Sequence, residues 1–498
     1  MDNILDVLIA GAGAAGLTLA IDLQRRGVSF RLIDAAPHGF EGSRAKGVQP
    51  RTTEVFDDLG VLPLLEPRST LYPPLGIHLG PLTLRRTMIK LHKPTDDIPY
   101  PNTLLAPQYA TDTSLQERLE ELGGVIDYGV TLTSFLQDAD GVTATVDGPS
   151  GPEQIRARFL VGADGGSSTV RRGIGVAFTG STDESDRMIV ADLTLTGLSR
   201  DRWHIWPRNG GRFMALCPLP DGKFQLMLRL RPDDPAELDR EAIDRMVGEF
   251  IGRTKIRVQA IHWSSVWRPN IRLAERYRSG NVFLVGDAAH VHPPAGAQGL
   301  NTGVQDAYNL GWKLGQVLAG APAELLESYE AERRPVAARV LGLSSALYAS
   351  IGDKPLAATA RGDEERQLTL SYRGGPLAPT PDPGARVASG DRAPDAPYLD
   401  ASGNRGTLFD LFRGPQFTLI AVGSRAIEGL AEVTWPSTGA ALATVALPDA
   451  DNAAFRRIYG LEGDAQVLVR PDGYVASVAT GDWNAQLRQV ARLMAPAT

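Results

Sequence analysis

The stretch ILDVLIAGAGAAG, residues 4–16, decides the fold class of this 498-residue chain. Its first half is a short apolar run that predicts a buried parallel strand. Its second half fits the pattern G-x-G-x-x-G, and a helical pattern follows as far as Gly27. The run SFRLID, residues 29–34, predicts a second strand that ends on an acid. This order of strand, glycine turn, helix, strand and acid predicts a Rossmann-like dinucleotide-binding unit.

Each part of this motif has a physical task. Gly11 permits a tight turn, Gly13 lets the backbone approach a pyrophosphate, and Gly16 lets helix and strand pack closely. Ala15 lies in the first helical turn, whose free N–H groups face the phosphates. Asp34 can accept hydrogen bonds from ribose hydroxyls. The motif alone does not decide between NAD and FAD.

Composition restricts the classes of function. The length predicts two or three domains. A net charge of -7 provides no basic surface for nucleic acid, so no such partner is expected. The single cysteine, Cys217, excludes an intrachain disulfide and an all-cysteine metal site. The first residues lack the basic region of a secretory signal, and the apolar runs are too short to span a bilayer. We therefore expect a cytoplasmic protein without a membrane partner.

Two further stretches have related patterns. The stretch LVGADGGSSTVRR, residues 160–172, predicts a strand followed by a turn, which could be a plain surface turn or part of a cofactor site. The stretch NVFLVGDAAHVHPPAGAQGLNTGVQDAYNLGWKLGQVL, residues 281–318, predicts a buried strand and a loop rich in proline and glycine. A helix then begins at about Asn301, and Gly311 and Gly315 would let it lie close to a neighbour.

In this order, the three stretches resemble the fingerprints of the FAD-dependent aromatic hydroxylases. This single-component group includes para-hydroxybenzoate hydroxylase and the hydroxylases of aromatic polyketide and rifamycin metabolism. The resemblance implies an α/β fold with a Rossmann-like FAD-binding domain, residues 1–174 and 280–350, and an inserted mixed-sheet substrate layer, residues 175–279. A connector, residues 351–398, precedes a thioredoxin-like C-terminal domain, residues 399–498. That domain has no C-x-x-C, so a structural or oligomerisation role is expected for it.

The resemblance also implies the cofactor site. The residues expected to bind FAD are Gly11, Gly13, Ala15, Gly16, Asp34, Arg44, Gln108, Asp164, Gly165, Arg171, Asp287, Gly299, Leu300 and Asn301. Pro293 is expected to place its carbonyl near the reactive edge of the flavin, as the catalytic position. The chain departs from the family pattern at Asp34 and Asp112, where glutamate is usual, and at Ala297, where glycine is usual. An alanine there needs a negative φ to avoid strain.

The implied activity is a monooxygenase reaction. NADPH or NADH reduces FAD, O2 adds to the flavin, and the C4a-hydroperoxide transfers oxygen to a phenolic or polycyclic aromatic ring. The expected partner is therefore a small aromatic molecule, and the protein is expected to be a monomer or a homodimer. A flavin-dependent epoxidase or halogenase and a flavin-bound module that sequesters an aromatic antibiotic remain alternatives. The W-x-W-x-I-P segment of the halogenases is missing.

A hairpin is predicted at residues 212–230, turning at Asp221 and Gly222. Alternation places Met214 and Leu216 on one face, with Phe213 and Cys217 on the other. By resemblance the first face is expected to cover the flavin, and Cys217 to be a packed small hydrophobe. The expected substrate-binding residues are Trp206, Met214, Leu216, Gln225 and Met227.

The neighbouring residues Trp203 and His204, like Trp206, could line the pocket or simply pack against the sheet. The pair His290 and His292 suggests a metal at first sight, but a structural role is favoured and no metal is expected.

Overall fold

The computed structural model describes residues 4–208, 212–252, 256–293, 295–353, 364–378 and 385–494. Pro294 and part of the predicted connector, residues 354–363 and 379–384, lie outside the described residues. No helix in the described ranges has the length and apolar character needed to cross a bilayer.

The elements are named in chain order. The helices are α1 (Ala14–Arg25), α2 (Pro50–Leu59), α3 (Leu62–Leu65), α4 (Gln108–Glu121), α5 (Thr169–Gly173), α6 (Arg240–Ile251), α7 (Gly299–Leu318), α8 (Glu327–Asp353), α9 (Leu408–Phe412), α10 (Ser424–Glu428), α11 (Ala453–Tyr459) and α12 (Trp483–Met494). The strands are β1 (Leu5–Ala10), β2 (Phe30–Asp34), β3 (Gly47–Val48), β4 (Thr70–Leu71), β5 (Leu75–Leu79), β6 (Leu82–Arg86), β7 (Leu104–Leu105), β8 (Ile126–Tyr128), β9 (Thr131–Asp138), β10 (Gly141–Gly148), β11 (Gly151–Gly162), β12 (Phe178–Thr182), β13 (Met188–Thr196), β14 (Trp203–Pro207), β15 (Phe213–Pro218), β16 (Phe224–Arg229), β17 (Arg257–Trp267), β18 (Asn270–Ala274), β19 (Arg278–Ser279), β20 (Val282–Leu284), β21 (His290–Val291), β22 (Pro397–Leu399), β23 (Arg405–Thr407), β24 (Phe417–Val422), β25 (Leu442–Leu447), β26 (Ala465–Val469) and β27 (Val475–Ala479).

The first sheet has the order β19-β20-β11-β1-β2-β8, with β10 and β9 continuing from β11. Strands β20, β11, β1, β2 and β8 are parallel. Val7, Leu8 and Ile9 of β1 are fully buried, as expected of a parallel strand covered on both faces. Helices α1 and α7 cross closely on one face. At Gly311 a side chain would overlap the Asp22 carboxylate, so the predicted close approach of α7 is confirmed.

The second sheet has the order β17-β13-β16-β15-β14-β5-β6. The predicted hairpin is present as β15 and β16, and Gly222 in its turn has a φ of +95°. Helix α6 covers the face of this sheet that points away from the first sheet. The predicted substrate layer, residues 175–279, did not include β5 and β6. These strands come from the N-terminal part, and β5 joins β14 by parallel pairing over a long sequence separation that local patterns do not reveal.

The C-terminal part forms a separate sheet in the order β25-β24-β26-β27, flanked by α10, α11 and α12. Strand β24 is parallel to β25 and antiparallel to β26, which is the thioredoxin-like arrangement expected from the sequence. Buried ion pairs hold this part against the first domain. Arg470 contacts Glu332 at 2.7 Å, and Arg392 pairs with Glu54.

Candidate active site

A cavity of about 1160 Å³ lies between the first and second sheets. Small-molecule pockets commonly enclose about 300–1,000 Å³, so this volume can hold more than one ligand. All three sequence motifs reach the cavity, through Gly13, Gly165 and Asp287. The second sheet supplies the opposite wall, with Gln225 and Met227 among its residues.

Two helices begin at this cavity without a side-chain cap. The N-cap residue of α1 is Gly13, which has no side chain to accept a hydrogen bond, and the Gln298 side chain at the N-cap of α7 accepts none from the first turn. The N–H groups of an uncapped first turn lack intrahelical acceptors and carry partial positive charge. Such helix ends bind anions, so this wall fits a dinucleotide with its pyrophosphate and electron-rich ring. The described residues therefore suit FAD.

The three glycines of the first motif differ in what surrounds them. Gly11 has a φ of +108°, and a side chain there would overlap the carbonyl of Ala163. A side chain on Gly16 would overlap the carbonyl of Gly11. Gly13 has open space where a Cβ would lie, and it lines the cavity. Gly11 and Gly16 thus permit close backbone packing, while only Gly13 gives a ligand access to the backbone.

Asp34 and Asp164, the acids of the first two motifs, accept hydrogen bonds from backbone N–H groups. The Asp34 carboxylate accepts hydrogen bonds from the N–H groups of Ala12 at 2.6 Å and Ala36 at 2.8 Å. The Asp164 carboxylate accepts from Thr169 N–H at 2.7 Å and so supports the start of α5. Neither side chain lines the cavity. Their direct contact with a cofactor remains a prediction.

Arg171 and Asn301 also lie behind the cavity wall. The Arg171 guanidinium donates to the carbonyls of Ala288 and Gly166, both at 2.8 Å, and thereby ties the second motif to the third. The Asn301 amide donates to the carbonyls of Gly47 at 2.8 Å and Ala297 at 2.7 Å. These side chains hold the loops that shape the cavity. Their predicted contact with FAD has no support from this geometry.

The remaining predicted cofactor residues and the predicted catalytic residue line the cavity: Gly13, Ala15, Arg44, Gln108, Gly165, Asp287, Pro293, Gly299 and Leu300. The Asp287 side chain is exposed to the cavity, within a wall of densely packed protein. Burial raises the pKa of its carboxyl, while the charges of His290 and Arg44 act in the opposite direction. The Arg44 guanidinium lies over the rings of Phe40 and Trp263, at 5.4 and 5.9 Å from their centres.

Asp112 lies beneath this wall and is almost fully buried. Gln108 donates a hydrogen bond to it at 3.4 Å, and its other carboxyl oxygen has no partner among the described residues. Burial raises the pKa of Asp112 to about 7, with a further contribution from the Asp34 charge. This carboxyl is therefore protonated or half-protonated near neutral pH.

The two histidines of the third motif form part of a buried network. His290 Nε2 lies 2.6 Å from Asp306 Oδ2, and His290 Nδ1 lies 2.8 Å from His292 Nε2. Arg333 donates to the other oxygen of Asp306 at 2.7 Å. The sequence suggested no acid beside these histidines, because Asp306 reaches them only through the packing of α7. In the described ranges no group of three or more His, Cys, Asp or Glu residues could hold a metal.

Ala297 has a strained backbone conformation. An alanine at this position needs a negative φ to avoid strain, and the φ of Ala297 is +53°. The left-handed region costs an alanine about 1–2 kcal/mol. The loop before α7 imposes this conformation, and the Asn301 amide holds the Ala297 carbonyl in place.

The prediction that Met214, Leu216 and Trp206 line the substrate pocket is wrong. Met214 and Leu216 are fully buried under α6, in the same apolar cluster as Trp206, and none of them lines the cavity. The cavity wall instead contains Phe213 and Ala215. The cross-strand register explains this result. Ala215 pairs with the cavity residue Met227, whereas Met214 pairs with Leu228, which points to the opposite face of the sheet.

The alternation of side chains along β15 was therefore predicted correctly, but the wrong face of the strand was expected to line the cavity. Gln225 and Met227 do line the cavity. Cys217 lies opposite Gln225 and is fully buried, and burial raises the pKa of its thiol to about 12. That environment suits an unreactive packed side chain.

Of the tryptophan and histidine candidates, Trp203 lines the cavity, whereas His204 and Trp206 stack with His78 on the other side of the strand. The second sheet also supplies cavity residues that the sequence did not single out, among them Ile205, Trp263, Ser265 and Trp267. Lys46 lines the cavity from the segment before β3, two residues after the predicted cofactor residue Arg44. Nothing local marks this lysine as a cavity residue.

Comparison with known protein families gives two matches. The model described as "FAD binding domain" matches residues 4–344, and the model described as "Aromatic-ring hydroxylase, C-terminal" matches residues 387–496. Together the matched segments include every cavity residue named above.

Individual proteins are similar over nearly their whole length. A flavin-dependent monooxygenase of Mycobacteroides abscessus is 40% identical over 502 residues, covering 98% of this chain and 100% of the relative. The anhydrotetracycline monooxygenase of Streptomyces rimosus is 34% identical over 509 residues, covering 95% of each. Among solved structures, the flavin-dependent monooxygenase PieE in complex with FAD and substrate has a TM-score of 0.85 and 26% identity, with 99% of each chain covered.

Proposed function

Since this chain belongs to the family of FAD-dependent aromatic-ring hydroxylases, we propose that it hydroxylates a phenolic substrate with several fused rings. The chain is a flavin-dependent monooxygenase that uses FAD, and NAD(P)H and O2 are the usual co-substrates of this class. The proposal concerns the size and chemistry of the substrate. It depends chiefly on one observation: a single large cavity has the nucleotide motifs on one wall and an aromatic wall on the other.

The aromatic wall suits a flat and extended molecule. Trp203, Phe213, Trp263 and Trp267 line the cavity, and large rings contribute apolar area and stacking geometry. Polar and charged side chains also line this part of the cavity, among them Gln225, Arg212 and Arg268, and such groups set the orientation of a bound ligand. The relative from Streptomyces rimosus is named for anhydrotetracycline, a multi-ring phenol, which agrees with this choice.

When bound, FAD supplies the oxygen-activating chemistry, with electrons from NAD(P)H. We assign direct cofactor contacts to the cavity-lining members of the predicted set: Gly13, Ala15, Arg44, Gln108, Gly165, Asp287, Gly299 and Leu300. The N–H groups at the start of α7, near Gly299 and Leu300, stabilise negative charge on the ring system. Pro293 lines the same cavity, and its position beside the reacting edge of the flavin is part of the proposal.

Other expectations from the sequence remain predictions. They are a cytoplasmic location, a monomeric or homodimeric state, and the absence of a nucleic-acid or membrane partner. The domain limits and the structural role of the C-terminal domain are also part of the proposal. Buried ion pairs such as that between Glu332 and Arg470 support a C-terminal domain fixed on the FAD-binding domain.

The test compares substrates of different size. The FAD-loaded protein is mixed with NADPH or NADH and with matched phenols that have either a single ring or three or four fused rings. We expect three- and four-ring phenols to stimulate NAD(P)H oxidation and to yield a hydroxylated product. Stimulation and product formation by the single-ring phenols alone would contradict the proposed substrate class.

A further inference from the structure

We infer that the ammonium group of Lys46 binds an anionic oxygen of the aromatic substrate, a phenolate or an enolate. This inference rests on the proposed function, because it concerns how a phenolic substrate is held. It adds a cation without a carboxylate partner to a wall on which Arg212 and Arg268 pair with Asp234 and Glu184.

The position of Lys46 places its charge at the substrate side of the cavity. Its Nζ donates a hydrogen bond to Gln225 Oε1 and lies 3.6 Å from the Met227 sulfur. It also lies 4.6 Å from the centre of the Trp203 ring. Gln225, Met227, Trp203 and Lys46 all line the cavity. The ammonium therefore lies against the second sheet.

The Gln225 amide is fixed so that its oxygen faces the lysine. Its Nε2 donates to the carbonyl and the hydroxyl oxygens of Ser43. Ser43 in turn donates its N–H and its hydroxyl to the carboxylate of Asp192. This chain of hydrogen bonds orients one neutral acceptor toward Nζ. With the Met227 sulfur as a weak second acceptor, one N–H of the ammonium group remains available to a ligand.

Lys46 differs from the paired lysines of this protein in having no carboxylate partner. Lys313 contacts Glu332 at 2.7 Å and Lys223 contacts Asp221 at 2.9 Å. For Lys46, the described residues provide only the amide, the sulfur and the ring as close partners. The Lys46 side chain is half-buried, and a ligand that fills the cavity would bury its charge, which is then normally paired. A substrate oxyanion would supply the missing counter-charge.

The titratable groups that face Lys46 are Asp192 on β13 and Cys217 on β15. Burial lowers the pKa of Lys46, and these two groups oppose the shift only in part. Asp192 already accepts two hydrogen bonds from Ser43, and the Cys217 thiol is neutral because burial raises its pKa to about 12. An anionic ligand would thus be the dominant partner of the ammonium group.

Binding of the phenolate requires only that the substrate lose one proton. A phenol that enters the site releases its hydroxyl proton to solvent, and the resulting phenolate pairs with the ammonium of Lys46. No bond to carbon forms or breaks in this step. Deprotonation raises the electron density of the ring, which favours attack by an electrophilic oxygen.

The experiment uses 2-hydroxyanthraquinone, whose phenolate absorbs at longer wavelength than its phenol, and 2-methoxyanthraquinone, which cannot ionise. Both are titrated into the FAD-loaded protein at a pH below the pKa of the free dye. The proteins compared are the wild type, Lys46→Met, Lys46→Arg and the matched control Lys93→Met. Lys93 is exposed and does not line the cavity. Flavin content and melting temperature are recorded for each.

We expect the wild type, Lys46→Arg and Lys93→Met to bind the hydroxy dye with the phenolate spectrum. Lys46→Met should bind it with the phenol spectrum and about 10–100-fold more weakly, the worth of a hydrogen bond to a charged group. The methoxy dye should bind all four proteins equally.

The inference is overturned if Lys46→Met retains the phenolate spectrum, or if it weakens both dyes to the same extent. Failure of the wild type to bind either dye would instead overturn the proposed substrate class, and the inference with it.

Discussion

Replacing Gly13 and Gly16 by alanine should have opposite consequences, although the chemical change is the same. A Cβ on Gly13 would enter open space at the cavity surface, whereas a Cβ on Gly16 would overlap the backbone carbonyl of Gly11. Backbone cannot move aside as the end of a flexible side chain can. Gly13→Ala should therefore affect the ligand, and Gly16→Ala should affect the fold.

The magnitudes follow from packing. Gly13→Ala should leave the unfolding free energy of the FAD-free protein within about 0.5 kcal/mol of wild type. Its methyl group would occupy space needed by the pyrophosphate, and overpacking of this kind costs about 1–3 kcal/mol. The dissociation constant for FAD should thus rise roughly 5–150-fold. Gly16→Ala should lower the unfolding free energy of the FAD-free protein by about 1–3 kcal/mol or more.

The assay combines urea unfolding of the FAD-free proteins with titration of FAD, followed by quenching of flavin fluorescence. The reasoning is refuted if Gly13→Ala unfolds as easily as Gly16→Ala. It is equally refuted if Gly13→Ala binds FAD as tightly as the wild type, because the pyrophosphate would then not approach this position.

Three further predictions concern the buried acid Asp112, the two faces of strand β15, and the ion pairs of Glu332 between the FAD-binding and C-terminal domains. Asp112 has a pKa of about 7 in the folded protein against an ordinary 3.8, so its ionisation removes stability as the pH rises through this interval. Asp112→Asn should therefore raise the unfolding free energy of the FAD-free protein by roughly 4 kcal/mol at pH 8 and much less at pH 4, and an equal gain at both pH values would disprove this. Phe213→Ala should weaken binding of a multi-ring phenol by about 1–3 kcal/mol and divert NAD(P)H electrons to hydrogen peroxide. Met214→Ala should instead lower the unfolding free energy by about 2–5 kcal/mol and leave the amount of product per NAD(P)H oxidised unchanged. If Met214→Ala diverts electrons to hydrogen peroxide and Phe213→Ala only destabilises the fold, then Met214 and not Phe213 faces the cavity. Glu332→Gln leaves the buried cations of Arg470 and Lys313 without their shared carboxylate, so urea unfolding should show a loss of about 3–5 kcal/mol, and a loss below about 1 kcal/mol would contradict it.

The features that sequence could predict are those set by local backbone geometry. The glycine turn, the parallel strand before it and the hairpin at Gly222 each depend on a few adjacent residues with a known conformational requirement. The fold class followed from the order of such segments. Ala297 shows the limit of the same reasoning, because the surrounding loop holds it at a positive φ despite its side chain.

The features that sequence could not predict depend on contacts between distant segments. Asp306 reaches His290 only because α7 packs beside β21, and Lys46 reaches Gln225 across 179 positions of the chain. The faces of β15 were distinguished by α6, which covers Met214 and Leu216. Period-2 alternation separates two faces but does not say which of them another element will cover.

The central claim is that this chain inserts one oxygen atom from O2 into an aromatic ring, and labelled dioxygen tests it most directly. The FAD-loaded protein is supplied with NAD(P)H, a three- or four-ring phenol and isotopically labelled O2 in ordinary water, and the product is examined by mass spectrometry. The account predicts a product with one added oxygen atom that carries the label. A product whose added oxygen comes from water, or NAD(P)H oxidation that yields only hydrogen peroxide with every phenol supplied, would contradict it.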